Sequence, residues 1–288
     1  MRPSRKSPSQ SAAIVLDHRK ISKLLRIPVP DAVNVPVHVY EASYDLRMAK
    51  LSVNVNKIAT LRNTRNLNIP SVVHFATISL EAGAHGITIH PRPDQRHIRL
   101  DDVRNLAQLL KKFPAAEFNI EGNPFHGYMP IIQQFRPTQC TLVPDEPDAF
   151  TSNQGWNLSP ANIEKLSPVV RQLKDWGCRV SLFMDVDADP KLAAGLGADR
   201  IELYTEPYAV DFLKRGAAAA EPFARAAEKA AHAGLGVNAG HDLNLSNLAA
   251  LARAIPNLAE VSIGHALIAD ALEFGMADTV RQYLIALE

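Results

Sequence analysis

Residues 179–205 read RVSLFMDVDADPKLAAGLGADRIELYT, and this stretch decides the fold. Arg179–Asp185 opens it with a nearly all-apolar run, as expected of a strand in a parallel sheet covered by helices. Pro190–Leu196 follows as a short helix, Gly197-Ala198 marks the turn out of it, and Asp199–Thr205 is the next strand. The same unit recurs in both directions. Upstream, the pattern predicts strands over Leu51–Asn56, Gly86–His90, Glu117–Glu121 and Gln139–Pro144. Helices are predicted after them over Ser71–Ala82, Asp101–Lys112, Phe125–Phe135 and Ser159–Trp176. Downstream, helices over Gly216–Ala233, Leu245–Ala254 and Leu267–Ala286 alternate with strands over Gly236–His241 and Glu260–Gly264. Eight such units in about 240 residues predict an α/β protein with a closed parallel sheet, the TIM (β/α)8 barrel, rather than an open sheet.

The expected domain boundaries are 49–288 for the barrel and 1–48 for an N-terminal extension. Residues 1–26 hold seven Lys/Arg against one acid, a net +6, which leaves −5 on the rest of a chain whose total is +1. The segment is Pro/Ser-rich at its start and has no apolar core, so it reads as a basic, partly disordered tail rather than a secretory signal. Met48-Ala-Lys, directly before the first strand, is an alternative start. A net charge near zero gives no basic field for nucleic acid. No apolar run is long enough to cross a membrane as a helix. Cys140 and Cys178 make neither a disulfide framework nor a metal motif, which points to a reducing, cytoplasmic setting.

Barrels keep their chemistry at the C-terminal ends of the strands. There the sequence places Asn54 and Asn56, His90, Glu121, Asp185, Glu202, Asn238, His241 and the Gly264-His265 pair. Any one of them is an ordinary polar strand end; their coincidence on one rim is the signal. His90, Glu121 and His241 are the acid–base candidates, because imidazole and a part-buried glutamate titrate near neutrality. Glu202 sits inside the apolar run Ile201–Tyr204, where an acid is costly unless it is paired or used. Arg62, Arg65, Arg92 and Arg96 follow the first two strands and suit phosphate. Backbone N–H groups after strands 7 and 8, at Gly240-His241 and Gly264-His265, suit a second anion. Two anion sites at one mouth imply two phosphorylated substrates. The segment 144–158, after strand 4, is the candidate lid. Asn54-Val55-Asn56 stands where a metal hydrolase would carry His-x-His, and no Gly-x-Gly-x-x-Gly follows the first strand.

These residues stand in a recognisable order. Val53–Asn63, the block His90-Pro-Arg-Pro-Asp-Gln-Arg-His-Ile98, Thr151-Ser152, Ser181–Phe183, Ile201–Leu203, Val237–His241 and Ile263–Ala266 together resemble the pyridoxine 5′-phosphate synthase family over residues 50–288. The resemblance implies a transferase-type, ring-closing synthase that condenses 3-amino-2-oxopropyl phosphate with 1-deoxy-D-xylulose 5-phosphate. The products are pyridoxine 5′-phosphate, phosphate and water, with no metal or organic cofactor. It implies proton acceptors at His90 and Glu121, a proton donor at His241 and transition-state stabilisation by Glu202. Asn54 and Arg65 would contact the aminoketone phosphate. Arg92, His97, Thr151 and the pair Asn56-Lys57 would contact the sugar phosphate, and Gly264 and His265 a phosphate. Asp242 adds a carboxylate beside that phosphate site. The partners implied are phosphorylated small molecules and further copies of the chain, as an octamer. This chain has Asn56-Lys57 where many members have Asp-His, Asp242 where they have glycine, and an arm the compact members lack. The alternative is a barrel of the same lineage that binds phosphorylated molecules without closing the ring.

Overall fold

The computed structural model describes residues 48–149 and 151–288; the expectations for the extension before Met48 lie outside the described residues. Eight parallel strands close into a barrel in chain order, β1 pairing with both β2 and β8. They are β1 (Lys50–Asn54), β2 (Gly86–Ile89), β3 (Glu117–Gly122), β4 (Gln139–Leu142), β5 (Arg179–Met184), β6 (Arg200–Tyr204), β7 (Gly236–Gly240) and β8 (Leu258–Ile263). Around them run α1 (Asn56–Asn63), α2 (Val72–Glu81), α3 (Leu100–Leu110), α4 (Met129–Phe135), α5 (Pro160–Asp175) and α6 (Pro190–Leu196). The ring is completed by α7 (Glu206–Arg215), α8 (Glu221–His232), α9 (Leu248–Ala254), α10 (His265–Phe274) and α11 (Met276–Ala286).

The strands alternate, and the alternation sorts two interiors. Leu51, Val53, Ile87, Ile89, Ile120, Leu142, Leu182, Leu203 and Val261 are buried in the continuous apolar layer between sheet and helices. The residues between them are polar and meet one another across the lumen. At its N-terminal end, Gln139 Nε2 of β4 donates to Glu260 Oε1 of β8 at 3.2 Å. Arg179 Nε donates to Gln139 Oε1 at 2.8 Å, and Arg200 Nη1 to Asn238 Oδ1 at 3.0 Å. Lys50 and Arg179 both pair with Glu117. One layer higher, Thr141 donates to Asn119 Oδ1 at 3.0 Å and Ser52 meets Thr88 at 2.6 Å. The third layer forms the site.

Several helix boundaries differ from the sequence pattern for local reasons. β1 stops at Asn54, whose Oδ1 accepts the Asn56 N–H at 3.0 Å and turns the chain into α1, a helix not foreseen. The predicted helix over Gly216–Ala233 is a 3₁₀ turn, Gly216–Ala220, followed by α8, with α7 before them unforeseen. Pro207 and Pro222 sit in the first turns of α7 and α8, where a missing N–H costs nothing. The predicted Leu267–Ala286 helix is two helices, because Gly275 adopts φ 78° and breaks it. In the predicted Phe125–Phe135 helix, only Met129–Phe135 is regular. Ser71 and Ser159 cap α2 and α5 as read, each accepting a backbone N–H.

Arg62 belongs to this scaffold. It is buried on α1, forms a two-pronged pair with Asp102 of α3, and donates to the His97 carbonyl at 3.1 Å. Substitution of Arg62 by Ala strands a buried carboxylate and should destabilise the fold by about 3 kcal/mol, read from urea denaturation midpoints at an unchanged m-value.

Candidate active site

The C-terminal ends of the strands surround a cavity of about 450 Å³. Of the residues singled out from the sequence, His90, Glu121, Glu202, His241, Asn54, Asn56, Lys57, Arg92, His97, Thr151, Asp242, Gly264 and His265 all line it. Arg65 does not: it is exposed in the turn beyond α1. Neither Arg62 nor Arg96 is a free cation at the mouth. Arg62 is held by Asp102. Arg96 is held by Asp94 at 2.7 Å and by the carbonyls of Pro147 and Ala149 at 2.8 and 2.9 Å. Asp185 and Asn238, both read as strand-end polar groups, are also engaged elsewhere. Asp185 accepts the Gly155 N–H at 3.0 Å, and Asn238 belongs to the lower lumen.

The floor of the cavity is acidic and buried. Glu121 and Glu202 rise from β3 and β6, and among the described residues no cation is bonded to either. Burial lifts Glu121 to about 7; the nearby Asp145 charge adds to this, while the Ser262 hydroxyl, His241 and Arg92 oppose it. Burial pushes Glu202 well above the usual carboxylate range, reinforced by the charges of Glu121 and Glu260. Glu202 therefore holds its proton to higher pH than a free glutamate does. Its room depends on Gly240: a Cβ there would stand 2.2 Å from Glu202 Oε1.

His90 closes one side. Its backbone N–H donates to Asn56 Oδ1 at 3.0 Å, so Asn56 fixes the exit of β2. Burial, with the charge of Arg92 next, holds its imidazole well below the ordinary value. His90 Nδ1 lies 3.8 Å from Glu121 Oε2, beyond hydrogen-bond reach, and with His90 neutral the two are not an ion pair. His97 packs edge-on to His90 and is lowered to about 4 by burial and by Arg92, Lys57 and Arg96. A neutral histidine, His90, thus lies beside a glutamate poised near neutrality, the condition for moving protons in both directions.

His241 closes the opposite side. Its Nδ1 is 2.7 Å from Asp242 Oδ2, its Nε2 is 3.0 Å from Thr151 Oγ1, and Tyr204 packs edge-on at 5.3 Å between ring centres. Lys57, Arg92 and His265 line the mouth. The N-terminus of α10 opens there after Gly264 and adds its positive end.

Sequence reading missed Asp145. It is buried, accepts from Arg92 Nη2 at 2.5 Å and from Ser152 Oγ at 2.6 Å, and its carbonyl accepts from Asn123 Nδ2 at 3.0 Å. The signal was its place directly after Val143-Pro144 at the end of β4. Ser262 and Glu206 also line the cavity without having been singled out, and Phe183 of the quoted Ser181–Phe183 stretch lines it too. Among the described residues, no three His, Cys, Asp or Glu side chains converge as metal ligands would.

Fold and site together define a (β/α)8 barrel built for acid–base chemistry on an anionic ligand. The family described as pyridoxal phosphate biosynthesis protein PdxJ matches residues 51–288, and the chain belongs to that family. A pyridoxine 5′-phosphate synthase of Albidiferax ferrireducens is 56% identical over 247 residues, 82% of this chain and 96% of that protein. One of Porphyromonas gingivalis is 54% identical over 237 residues, 82% of this chain and 98% of that protein. Among solved structures, phosphoribosyl anthranilate isomerase from Thermus thermophilus superposes with a TM-score of 0.51 at 13% identity, over 83% of this chain and 97% of that one. That likeness is one of fold.

Glu202→Gln gives a stability test of the buried proton. Below pH about 4.5 the folded and unfolded glutamate are both protonated. Above it the unfolded chain releases a proton that the folded chain keeps, so Glu202 destabilises the fold increasingly as pH rises through its elevated folded value. The Gln variant lacks this slope. Its Tm should match the parent at pH 4 and exceed it by about 3 °C at pH 8, measured by calorimetry.

Proposed function

We propose that this chain is a pyridoxine 5′-phosphate synthase. In this reading it joins 3-amino-2-oxopropyl phosphate to 1-deoxy-D-xylulose 5-phosphate and closes the pyridine ring. The observation that carries the reading is the opposition of two proton-transfer groups across one cavity: Glu121 with neutral His90 on one side, His241 on the other. An amine must attack a ketone, water must leave, and a carbon–carbon bond must close. Each step takes a proton from one atom and gives one to another, which a single base cannot do.

His90 and Glu121 act as proton acceptors, and His241 acts as donor through Nε2. Protonated Glu202 donates a hydrogen bond to charge that develops on the reacting skeleton. Arg92, Lys57, His97 and Thr151 hold the sugar phosphate, with Asn56 placing the His90 segment. Asn54, Gly264 and His265 hold the second phosphate beside the start of α10. Holding two anions in one cavity offsets their repulsion and supplies orientation. The segment 144–158 serves as the lid: Ser152 is tied to Asp145, and Thr151 reaches His241. Closure there excludes water from the imine. Arg65 lies outside the cavity of one subunit, so it contributes no contact in this arrangement. The chain works as a homo-oligomer in the cytoplasm. Leu213 and Leu272, 87% and 78% exposed on helix surfaces, fit a subunit contact, and the unpaired, buried Cys140 and Cys178 fit a reducing compartment. No described helix is long and apolar enough to cross a membrane.

The test is product formation. Purified protein mixed with both phosphorylated substrates should yield pyridoxine 5′-phosphate by mass and ultraviolet absorbance. Binding of both without product would favour a non-synthetic barrel of the same lineage. The rate should rise with pH through about 7 as Glu121 loses its proton. Glu121→Gln should abolish that limb and lower kcat by about 10²-fold or more. An unchanged profile in Glu121→Gln would remove Glu121 as the base.

A further inference from the structure

We infer that Asp242 is a positioning residue for His241, one that holds the imidazole with a proton on Nδ1 and so keeps Nε2 charged with the proton it delivers. The inference rests on the synthase reading for what that proton does, and on geometry for the pairing itself. Asp242 Oδ2 lies 2.7 Å from His241 Nδ1, within strong hydrogen-bond range. Neighbours in sequence do not ordinarily meet this way on a strand, where successive side chains point to opposite faces. The backbone has been turned to allow it: His241 and Asp242 adopt φ 77° and 47°, the left-handed region that non-glycine residues enter at a cost. The Thr205 hydroxyl anchors that turn, 2.7 Å from the Gly240 carbonyl and in contact with the His241 carbonyl.

The groups around the ring leave Asp242 as its carboxylate partner. From β6, Tyr204 offers an aromatic edge, and from the loop after β4, Thr151 meets Nε2. From β3 comes the charge of Glu121, while Lys57 of α1 and His265 of α10 act on the Asp242 carboxyl; Glu206 of α7 lines the same cavity. The hydrogen bond to His241 holds the Asp242 carboxyl below its usual range, with the charges of His241, His265 and Lys57 adding to the effect. Asp242 is thus an anion at every pH where the enzyme would work. An anion at Nδ1 fixes the tautomer and favours the imidazolium. A general acid needs that form.

The experiment uses Asp242→Asn and Asp242→Gly in the full chain. It reads kcat and both KM values from pH 5 to 10, together with the ¹⁵N shifts of the His241 imidazole, assigned against the His241→Asn spectrum. In Asp242→Asn, kcat should fall about tenfold with both KM values held within about twofold, and its basic limb should move down by about 1 pH unit. The His241 titration should move down with it. A raised KM with an unmoved limb would overturn the inference and make Asp242 a substrate contact. An His241 titration identical in parent and Asp242→Asn would also overturn it, whatever the rates. No product from the parent, with the His241 titration still shifted by the substitution, would overturn the synthase reading and leave the pairing standing.

Discussion

The structure depends on a barrel lumen filled with polar side chains. Strand alternation directs Lys50, Ser52 and Asn54, or Glu117, Asn119 and Glu121, to the same inner face, so the barrel can close only if these groups satisfy one another across it. They do so in layers. The lowest layer spends the lumen's cations: Lys50, Arg179 and Arg200 neutralise Glu117 and Glu260. The middle layer is neutral hydrogen bonding among Ser52, Thr88, Asn119 and Thr141. The top layer then holds two carboxyl groups, Glu121 and Glu202, and among the described residues no cation is bonded to either. A buried acid without a counter-ion keeps its proton, and that is the state from which proton transfer starts.

The mouth follows the opposite rule. Its cations are presented on the rim, and one of them is restrained. Arg92 is clasped by buried Asp145, and Asp145 in turn receives Ser152 from the loop over the mouth. One carboxylate thus links a phosphate-facing guanidinium to the segment that covers the site. Thr151, next to Ser152, reaches His241 on the far wall. The loop therefore spans the cavity from the β2 side to the β7 side. Charge at the rim attracts anionic ligands, while the buried acids of the floor carry out their chemistry.

Much of this was legible in the chain. Each strand and its following turn announced itself by an apolar run ended by a polar residue, and the eight runs set the barrel. The acids and histidines at the strand ends were legible for the same reason: in a parallel barrel all those ends lie on one face. The helices were harder. α1 and α7 begin immediately where their strands stop, so no turn residues separate the two patterns, and Gly275 cut one amphipathic stretch into two. The arginines were the least legible. Arg62, Arg65, Arg92 and Arg96 look alike in a list of loop cations, yet one is scaffold, one is exposed, one lines the cavity and one ties down a loop.

By itself, then, the sequence determined the architecture, the face that carries the site and the residue types on it, because strand period and strand order are local properties. Tertiary structure decided what those residues can do. Glu202 and Glu260 are acids by sequence and burial raises both, but Arg179 and Arg200 oppose that rise only at Glu260, and only the meeting of strands two and three positions apart distinguishes them. Protonation is set by burial and by neighbours across the barrel, such as Gln139 against Glu260 at a separation of 121 residues. No window of sequence contains both members of such a pair.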